Sequence, residues 1–240
     1  MKLDYIYHSG FAIEADGITV IIDYYKDSSE EAPDRGIVHD HLLKKPGTLY
    51  VLSSHFHPDH FNRDILSWKE QRPDIRYIFS KDILKSHRAK PEDATYIKKG
   101  ETYEDETIRI EAFGSTDVGS SFLLHLQDWS IFHAGDLNWW HWEEEDDAYN
   151  RMMRGDYQKE IETLAGEKID LAFVVLDPRQ EEQFYWGFDW YMRHTDTKIV
   201  FPMHMWKQYE VQDRLIGMEV SEPYREKIMR IREMGQVFEL

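Results

Sequence analysis

The 240-residue sequence contains no cysteine, and no apolar stretch in it approaches the length that spans a membrane. The first absence excludes disulfide bonds and thiolate metal ligands, so that any metal must be bound by His, Asp or Glu. The second excludes a transmembrane helix. The N-terminus also has no apolar core of a signal peptide, and we therefore expect a cytoplasmic protein.

An excess of positive charge is also absent, because 29 Lys/Arg against 46 Asp/Glu give a net charge of −17. This balance disfavours nucleic acids and anionic membranes as partners and leaves a small-molecule substrate as the expected one. Residues 61–90 are an exception, with eight Lys/Arg against four acids. This locally basic segment indicates either a solvated helix face or a surface that attracts an anionic substrate.

A dense group of metal-binding side chains follows the apolar run 49–52. His55 and His57 are two residues apart, so continued strand geometry would turn both imidazoles to the same face, toward one cation. Pro58 ends the extended conformation, and Asp59 and His60 then turn toward a second position. Imidazole and carboxylate together suit zinc, manganese or iron.

This His55-x-His57-x-Asp59-His60 pattern resembles the signature of the metallo-β-lactamase superfamily. The resemblance implies an α/β fold, a four-layer αββα sandwich, with a hydrolytic centre of one or two metals along one edge. With 240 residues and 41% hydrophobic content, the chain suffices for a single such domain over residues 1–240. The remaining ligands are then expected after later strands.

Two later segments fit this expectation. The apolar run 131–133 is followed by Ala134, Gly135 and Asp136, and small residues let the backbone turn tightly so that Asp136 can bridge two cations. The run 198–201 ends in Pro202, Met203 and His204. The resemblance assigns Asp136 and His204 as metal ligands.

The opening of the chain resembles one branch of the superfamily, which contains sugar-phosphate lactonases. Strands predicted over 3–7, 11–14 and 18–23 form a β-meander with turns at 8–10 and 15–17. His8 lies in the first turn and Asp23 ends the third strand, where each either orients metal ligands through hydrogen bonds or only completes a turn. We count His39 and His41, in the loop 26–46, as surface residues.

The superfamily usually supplies one more histidine to the first metal from the loop at 113–119, and here that loop contains none. Either Asp117 replaces it as an oxygen ligand, or the first metal has only His55, His57 and the shared groups. An oxygen ligand would move the metal preference from zinc toward manganese or iron.

Substrate contacts are expected from two segments. Trp139, Trp140 and His141 follow Asp136 directly and either wall a substrate pocket or pack between sheet and helix. Arg179 follows the apolar strand 169–176 and is a candidate for binding a substrate carboxylate or phosphate, or for a structural salt bridge. Helices are predicted over 62–71, 81–87, 143–164, 181–193 and 223–234.

The sequence therefore predicts a metal-dependent hydrolase, most similar to the lactonase-like branch, with zinc as the expected metal and manganese or iron as alternatives. A cation lowers the pKa of water, and the resulting hydroxide would cleave an ester, lactone or phosphoester in a small anionic substrate. Asp59 would bind the second metal and hold the hydroxide or pass a proton to the leaving group. Two alternatives stay open: a nucleic-acid phosphodiesterase and a non-hydrolytic di-iron redox protein.

Overall fold

Short apolar strands form two mixed β-sheets in the computed structural model, which describes residues 1–240. Contacts within the chain divide it into two compact units, and each unit contains one sheet. The first unit comprises Met1–Ile97 and Arg232–Leu240, and the second comprises Lys98–Ile231. None of the helices combines the length and the apolar character that crossing a membrane requires.

The sheet of the first unit has seven strands. Numbered in chain order, they are β1 (Lys2–Tyr7), β2 (Gly10–Ala15), β3 (Ile18–Ile22), β4 (Thr48–Ser53), β5 (Arg76–Ser80), β6 (Thr95–Ile97) and β13 (Val237–Glu239). The order across the sheet is β13-β1-β2-β3-β4-β5-β6. β1 to β3 form the predicted antiparallel meander, and β3 to β6 are parallel. The carboxyl ends of β3 and β4 therefore lie at the same edge of the sheet.

The sheet of the second unit has six strands. They are β7 (Thr102–Glu104), β8 (Ile108–Phe113), β9 (Ser121–Leu126), β10 (Trp129–His133), β11 (Lys168–Val175) and β12 (Asp196–Met203). β7 to β10 pair antiparallel, and β10, β11 and β12 are parallel neighbours. The segments that follow these last three strands leave one edge of the sheet, and they contain the expected ligands.

Helices are short in the first unit and longer in the second. The α-helices are α1 (Ile37–Asp40), α2 (Lys81–Lys85), α3 (Asp147–Glu162), α4 (Trp186–His194) and α5 (Glu210–Gly217). The helix predicted over 62–71 is a 3₁₀ helix, Arg63–Glu70, whose buried Trp68 packs against Tyr24 at 4.8 Å between ring centroids. Asp146 caps α3 by accepting a hydrogen bond from the backbone N–H of Tyr149.

The helix predicted over 223–234 is wrong. Only the 3₁₀ turn Arg225–Lys227 forms there, and Ile228 then makes a parallel bridge to Val200 of β12. Ile228 and Ile231 are buried, but neither lies in a helix, and the backbone of Ile228 is extended. Their spacing of three residues imitates a helical stripe, and pairing with β12 overrides it.

The structure differs from the sequence predictions at three further points. The helix predicted over 181–193 begins only at Trp186, because the preceding 3₁₀ segment Pro178–Gln183 kinks at Glu181, where φ is 51°. Strands β6, β7 and β13 and helix α5 were not predicted; these strands have three residues each and carry little periodicity. His39, predicted to be a surface residue, is half-buried, with 20% of its side chain exposed.

His39 contacts two buried side chains of the first unit, Asp27 and Trp68. Its Nδ1 lies 2.8 Å from Oδ2 of the buried Asp27, and its ring packs edge-on against Trp68 at 5.7 Å. Burial alone raises the pKa of Asp27, but hydrogen bonds from His39, Val38 and Ser28 outweigh it and hold the pKa below its usual value. His41 is exposed, as expected.

Candidate metal centre

The histidine-rich segment of the first unit is a turn and not a continuation of β4. The strand ends at Ser53, and bends and turns occupy residues 54–60. The rings of His55 and His57 nevertheless lie close together, with centroids 4.8 Å apart and ligand nitrogens within 4.8 Å. Backbone hydrogen bonds from His60 and Phe61 to the carbonyl oxygen of His57 close the turn. The two imidazoles thus meet through turn geometry, and strand alternation is not the cause.

Asp23 fixes the orientation of this turn. It is fully buried at the end of β3, and its carboxylate accepts hydrogen bonds from the backbone N–H of Ser54 at 2.7 Å and from Ser54 Oγ at 2.6 Å. Oδ2 also lies 2.8 Å from Nδ1 of His60. Because a carboxylate only accepts, Nδ1 of His60 carries the proton, and Nε2 carries the lone pair that a metal needs.

His8 and Asp59 extend the same group. Nε2 of the fully buried His8 lies 3.4 Å from Oδ2 of Asp59, and that oxygen lies 3.8 Å from Nε2 of His60. The ligand atoms of these three residues lie within 4.8 Å of one another. His8 is therefore close enough to Asp59 and His60 to bind the same metal ion as they do.

In the second unit, Asp136 lies three residues beyond β10. Its backbone is fixed, because its carbonyl oxygen accepts a hydrogen bond from Trp140 Nε1 at 3.0 Å. Gly135 has φ of 55°, so this turn uses the left-handed conformation that glycine adopts readily. Asp136 is buried, and the exposed Asp117 has a carboxylate oxygen within 4.8 Å of it. Two carboxylates so close repel each other unless a cation binds between them.

His204 follows β12 and points at the same group. Its Nε2 lies 3.4 Å from Oδ1 of Asp136, and its Nδ1 lies 2.8 Å from Oδ2 of Asp177. Asp177 is fully buried two residues beyond β11. Burial alone raises its pKa, but hydrogen bonds from His204 and Arg179 outweigh this and lower the pKa of Asp177. Asp177 therefore holds His204 in the tautomer whose Nε2 carries the lone pair.

Asp177 is a functional residue that the sequence prediction does not include. Only Arg179 is predicted from the segment that follows strand 169–176. The signal was present, because β11 and β12 are adjacent parallel strands, and Asp177 and His204 follow them at similar distances. Parallel neighbours bring their carboxyl ends together, so a carboxylate after one strand can bind a histidine after the next.

Left-handed backbone conformations recur at these positions. His8, Asp23 and His204 have φ of 59°, 50° and 66°. Residues other than glycine rarely adopt such values, and the strain typically occurs where function requires a particular side-chain direction.

A cavity of about 180 Å³ in the second unit includes Asp117 and Asp136. Its other lining residues are Thr116, Trp140, Trp142, Tyr149, Met153 and Arg179. The guanidinium of Arg179 lies over the rings of Trp142 and Trp206, at 5.8 Å and 5.0 Å, and its Nε is within 3.0 Å of both carboxylate oxygens of Asp177. The cavity therefore combines acidic metal-binding groups, an aromatic wall and one cation.

Only some of the residues predicted to contact substrate line this cavity. Arg179 and Trp140 line the cavity that contains Asp136. His141 is not among the lining residues, and its ring packs against that of Trp186 with centroids 4.9 Å apart. The ring of Trp139 also packs against Trp186, with centroids 5.4 Å apart. Of the three residues 139–141, only Trp140 faces this cavity.

The donors in both units fit a divalent metal. The first unit supplies His55, His57, Asp59 and His60, with His8 beside them, and the second supplies Asp117, Asp136 and His204. All are nitrogen or oxygen ligands of types that bind zinc, manganese and iron. His60 and His204 each have a carboxylate at Nδ1, as metal-binding histidines commonly do.

Comparison with known proteins places the chain in a family. The model of the β-lactamase superfamily domain matches residues 2–152, which is more than half of the chain. The chain belongs to the β-lactamase superfamily. The superfamily prediction and its fold class, two mixed sheets with flanking helices as in the αββα sandwich, are thereby confirmed. Assignment to the lactonase-like branch stays a prediction.

The individual relatives share little sequence identity with this chain. A UPF0173 metal-dependent hydrolase of Desulforamulus reducens is 26% identical over 149 residues, which cover 57% of this chain and 62% of that protein. The match thus spans less than two thirds of the relative's length. Igni18, a metallo hydrolase from Ignicoccus hospitalis, is 17% identical with a TM-score of 0.65 and covers 100% of this chain and 98% of its own.

A third relative has a different described chemistry. CmlA, a diiron β-hydroxylase from Streptomyces venezuelae, is 14% identical with a TM-score of 0.66 and covers 100% of this chain but 54% of its own. At such low identities, both structural similarities establish the shared fold alone.

Proposed function

We propose that this protein is a metal-dependent hydrolase that cleaves an ester, lactone or phosphoester bond in a small anionic molecule. His55 and His57, with Asp117, are the proposed ligands of a first metal, and Asp59, His60 and His204 are those of a second. Asp136 is the proposed bridging ligand. Zinc is the expected metal, with manganese or iron as alternatives, and a cytoplasmic location stays part of the proposal.

The observation that carries this proposal is a pair of histidine–carboxylate contacts, one in each unit. Asp23 lies 2.8 Å from Nδ1 of His60, and Asp177 lies 2.8 Å from Nδ1 of His204. All four side chains are buried. Each carboxylate fixes the ring direction, selects the Nε2 lone pair and makes the imidazole a stronger ligand. Repetition of this arrangement after strands of both sheets supports metal binding better than any single histidine does.

A bound divalent metal would lower the pKa of water toward neutrality and polarise the bond to be cleaved. Asp59 is the residue we propose to accept and return a proton. Its side chain is 21% exposed, and its Oδ2 lies 3.4 Å from His8 Nε2. A half-buried carboxylate beside a buried imidazole can exchange protons with both water and the histidine.

The cavity of the second unit supports an anionic substrate of small size. Its volume of about 180 Å³ suits a portion of about the size of one small ring, since a cavity of ~150 Å³ binds benzene. Trp140 and Trp142 supply apolar walls that exclude water. Arg179 contributes the positive charge, held in place by Asp177 and the two indole rings.

Metal analysis combined with a substrate screen tests the proposal. Protein purified without chelator should contain one or two equivalents of zinc or manganese and hydrolyse at least one ester, lactone or phosphodiester. His204→Ala should lose metal and activity, whereas the exposed His41→Ala should keep both. A metal-free parent protein, or hydrolysis that survives in His204→Ala, would overturn the proposal.

One observation favours a second candidate, a di-iron redox protein. Asp117 provides a carboxylate near Asp136 where the superfamily usually supplies histidine, and oxygen ligands suit iron. The same preparation distinguishes the two candidates. An iron-only centre that consumes oxygen and hydrolyses nothing would favour the second. An oligonucleotide in the screen tests the nucleic-acid phosphodiesterase, which the charge of −17 disfavours.

A further inference from the structure

A groove lies within the first unit, in the locally basic segment 61–90. It contains none of the proposed metal ligands. Its volume is about 660 Å³, in the range of sites for small molecules. It is lined by Arg63, Leu66, Leu84, His87, Ala89, Lys90, Pro91 and Asp93. The lining residues come from the 3₁₀ helix Arg63–Glu70, the carboxyl end of α2 and the loop before β6.

Three basic side chains border this groove, those of Arg63, His87 and Lys90. None of the three makes a hydrogen bond or an ion pair through its side chain. The nearby Lys69, by contrast, donates from Nζ to the carbonyl oxygen of Asp93 at 2.9 Å. Unpaired basic groups gathered at one groove are unexpected in a chain of net charge −17. Asp93 is the one acid in the lining, and its carboxylate accepts a hydrogen bond from the backbone of Lys90.

His87 occupies a position that favours glycine. Helix α2 ends with two hydrogen bonds, from the backbone N–H of His87 to the oxygen of Leu84 and from that of Arg88 to the oxygen of Ile83, both at 3.0 Å. This is a Schellman ending, whose left-handed residue is usually glycine, and His87 adopts it with φ of 54°. The chain thus places an imidazole at the groove where glycine would make a less strained turn.

The lining also includes apolar side chains. Leu66 and Leu84 are half-buried and Ala89 is buried, so the groove presents hydrocarbon surface as well as basic groups. Positive groups together with apolar surface complement a molecule that carries an anionic head and an apolar body. A fully polar anion would leave the apolar surface unused, and a neutral apolar molecule would leave the charges unused.

We propose that this groove binds a small amphipathic anion, a carboxylate, sulfonate or phosphate attached to an aromatic or acyl body. Arg63, His87 and Lys90 surround the anionic group, and Leu66 and Leu84 contact the apolar part. The site does not depend on the proposed hydrolase reaction, because it contains none of its ligands.

Calorimetric titration with three probes tests the proposal on the full chain. The probes are naphthalene-2-sulfonate, octanoate and the neutral naphthalene-2-methanol, none of which contains an ester or phosphoester bond. At least one anion should bind about tenfold more tightly than the neutral probe. Arg63→Gln and Lys90→Gln should each weaken that anion about tenfold, since each removes a charged hydrogen-bond donor. Lys85→Gln, at an exposed lysine of α2 outside the groove lining, should change nothing.

His87→Gly separates binding from folding. Glycine relieves the left-handed strain, so this variant should melt at a higher temperature than the parent and yet bind the anion several-fold more weakly. A higher melting temperature with unchanged binding means that His87 serves only the turn. His204→Ala should bind the anion as the parent does, which excludes binding at the metal centre. The proposal is overturned if neither anion binds at millimolar concentration, or if Arg63→Gln and Lys90→Gln bind as the parent does.

Discussion

Oδ2 of Asp177 lies 2.8 Å from Nδ1 of His204, and both side chains are buried beyond neighbouring parallel strands. The contact fixes the imidazole so that Nε2 lies 3.4 Å from Asp136. Replacing Asp177 by asparagine keeps the shape but removes the charge that fixes the tautomer. We expect Asp177→Asn to weaken metal affinity about 10- to 100-fold, as loss of such partners does elsewhere.

Competition with a chelator measures this loss. The matched control is Asp170→Asn, a partly exposed carboxylate of β11 that pairs with Lys198. Equal metal affinity of Asp177→Asn and the parent would show that Asp177 serves Arg179 alone.

The ligands Asp136 and His204 give a second prediction. Asp136→Ala and His204→Ala should each abolish hydrolysis and lower metal content while keeping the fold, because both residues follow strands and leave the apolar core intact. Circular dichroism checks the fold, and elemental analysis checks the metal. Full occupancy together with the parental rate in either variant would show that the ligand assignment is wrong.

The absent histidine of the loop 113–119 gives a third prediction. Asp117→Ala should lose the first metal before the second, and Asp117→His should retain or increase zinc occupancy, because imidazole suits zinc. Metal titration of both variants, with the exposed Asp128→Ala as control, measures this. If Asp117→Ala binds both metals as tightly as the parent, Asp117 only completes its loop.

Arg179 gives a fourth prediction, which concerns the substrate. Arg179→Gln should raise KM for anionic substrates about tenfold, since it removes a charged hydrogen-bond donor, and should leave KM for neutral analogues nearly unchanged. His141→Ala should change KM little, because its ring packs on Trp186 outside the cavity. Equal effects of Arg179→Gln on charged and neutral substrates would indicate a structural role through Asp177.

Asp27 gives a fifth prediction, on stability and pH. Hydrogen bonds hold its pKa below the ordinary 3.8, so its contribution to stability is full above about pH 3.8 and is lost as the pH falls through the lower, folded-state pKa. At pH 7, the free energy of unfolding of Asp27→Ala should be lower than that of the parent by roughly 1–3 kcal/mol. Denaturant unfolding should show this difference shrinking below pH 3.8, whereas the exposed Asp34→Ala should resemble the parent at every pH. A difference that stays constant on acidification would contradict the role of the charge.

Much of the fold could be predicted because long apolar strands are strong signals. The meander β1 to β3 and the strands β4, β10, β11 and β12 follow directly from such runs. The terminal helix could not be predicted, because a bridge to Val200 and not local periodicity determines the backbone of Ile228. Three-residue strands such as β6 also form only through their neighbours.

The residues of the proposed metal site likewise include some that the sequence predicts and some that it does not. His55, His57, Asp59 and His60 form a local motif, and the turn that joins them is short enough for the sequence to show it. Asp177 was missed because its role depends on the pairing of β11 with β12, which a single sequence does not display. The pairing of His8 with Asp59 likewise joins residues far apart in the chain.

Metal stoichiometry of the parent protein and of His60→Ala and His204→Ala, all purified without chelator, tests the proposed metal centre most directly. We predict one or two equivalents of a divalent metal in the parent and a clear loss in each variant, with hydrolysis lost in parallel. A folded parent protein that binds no divalent metal, or variants that bind as much metal as the parent, would contradict the proposal.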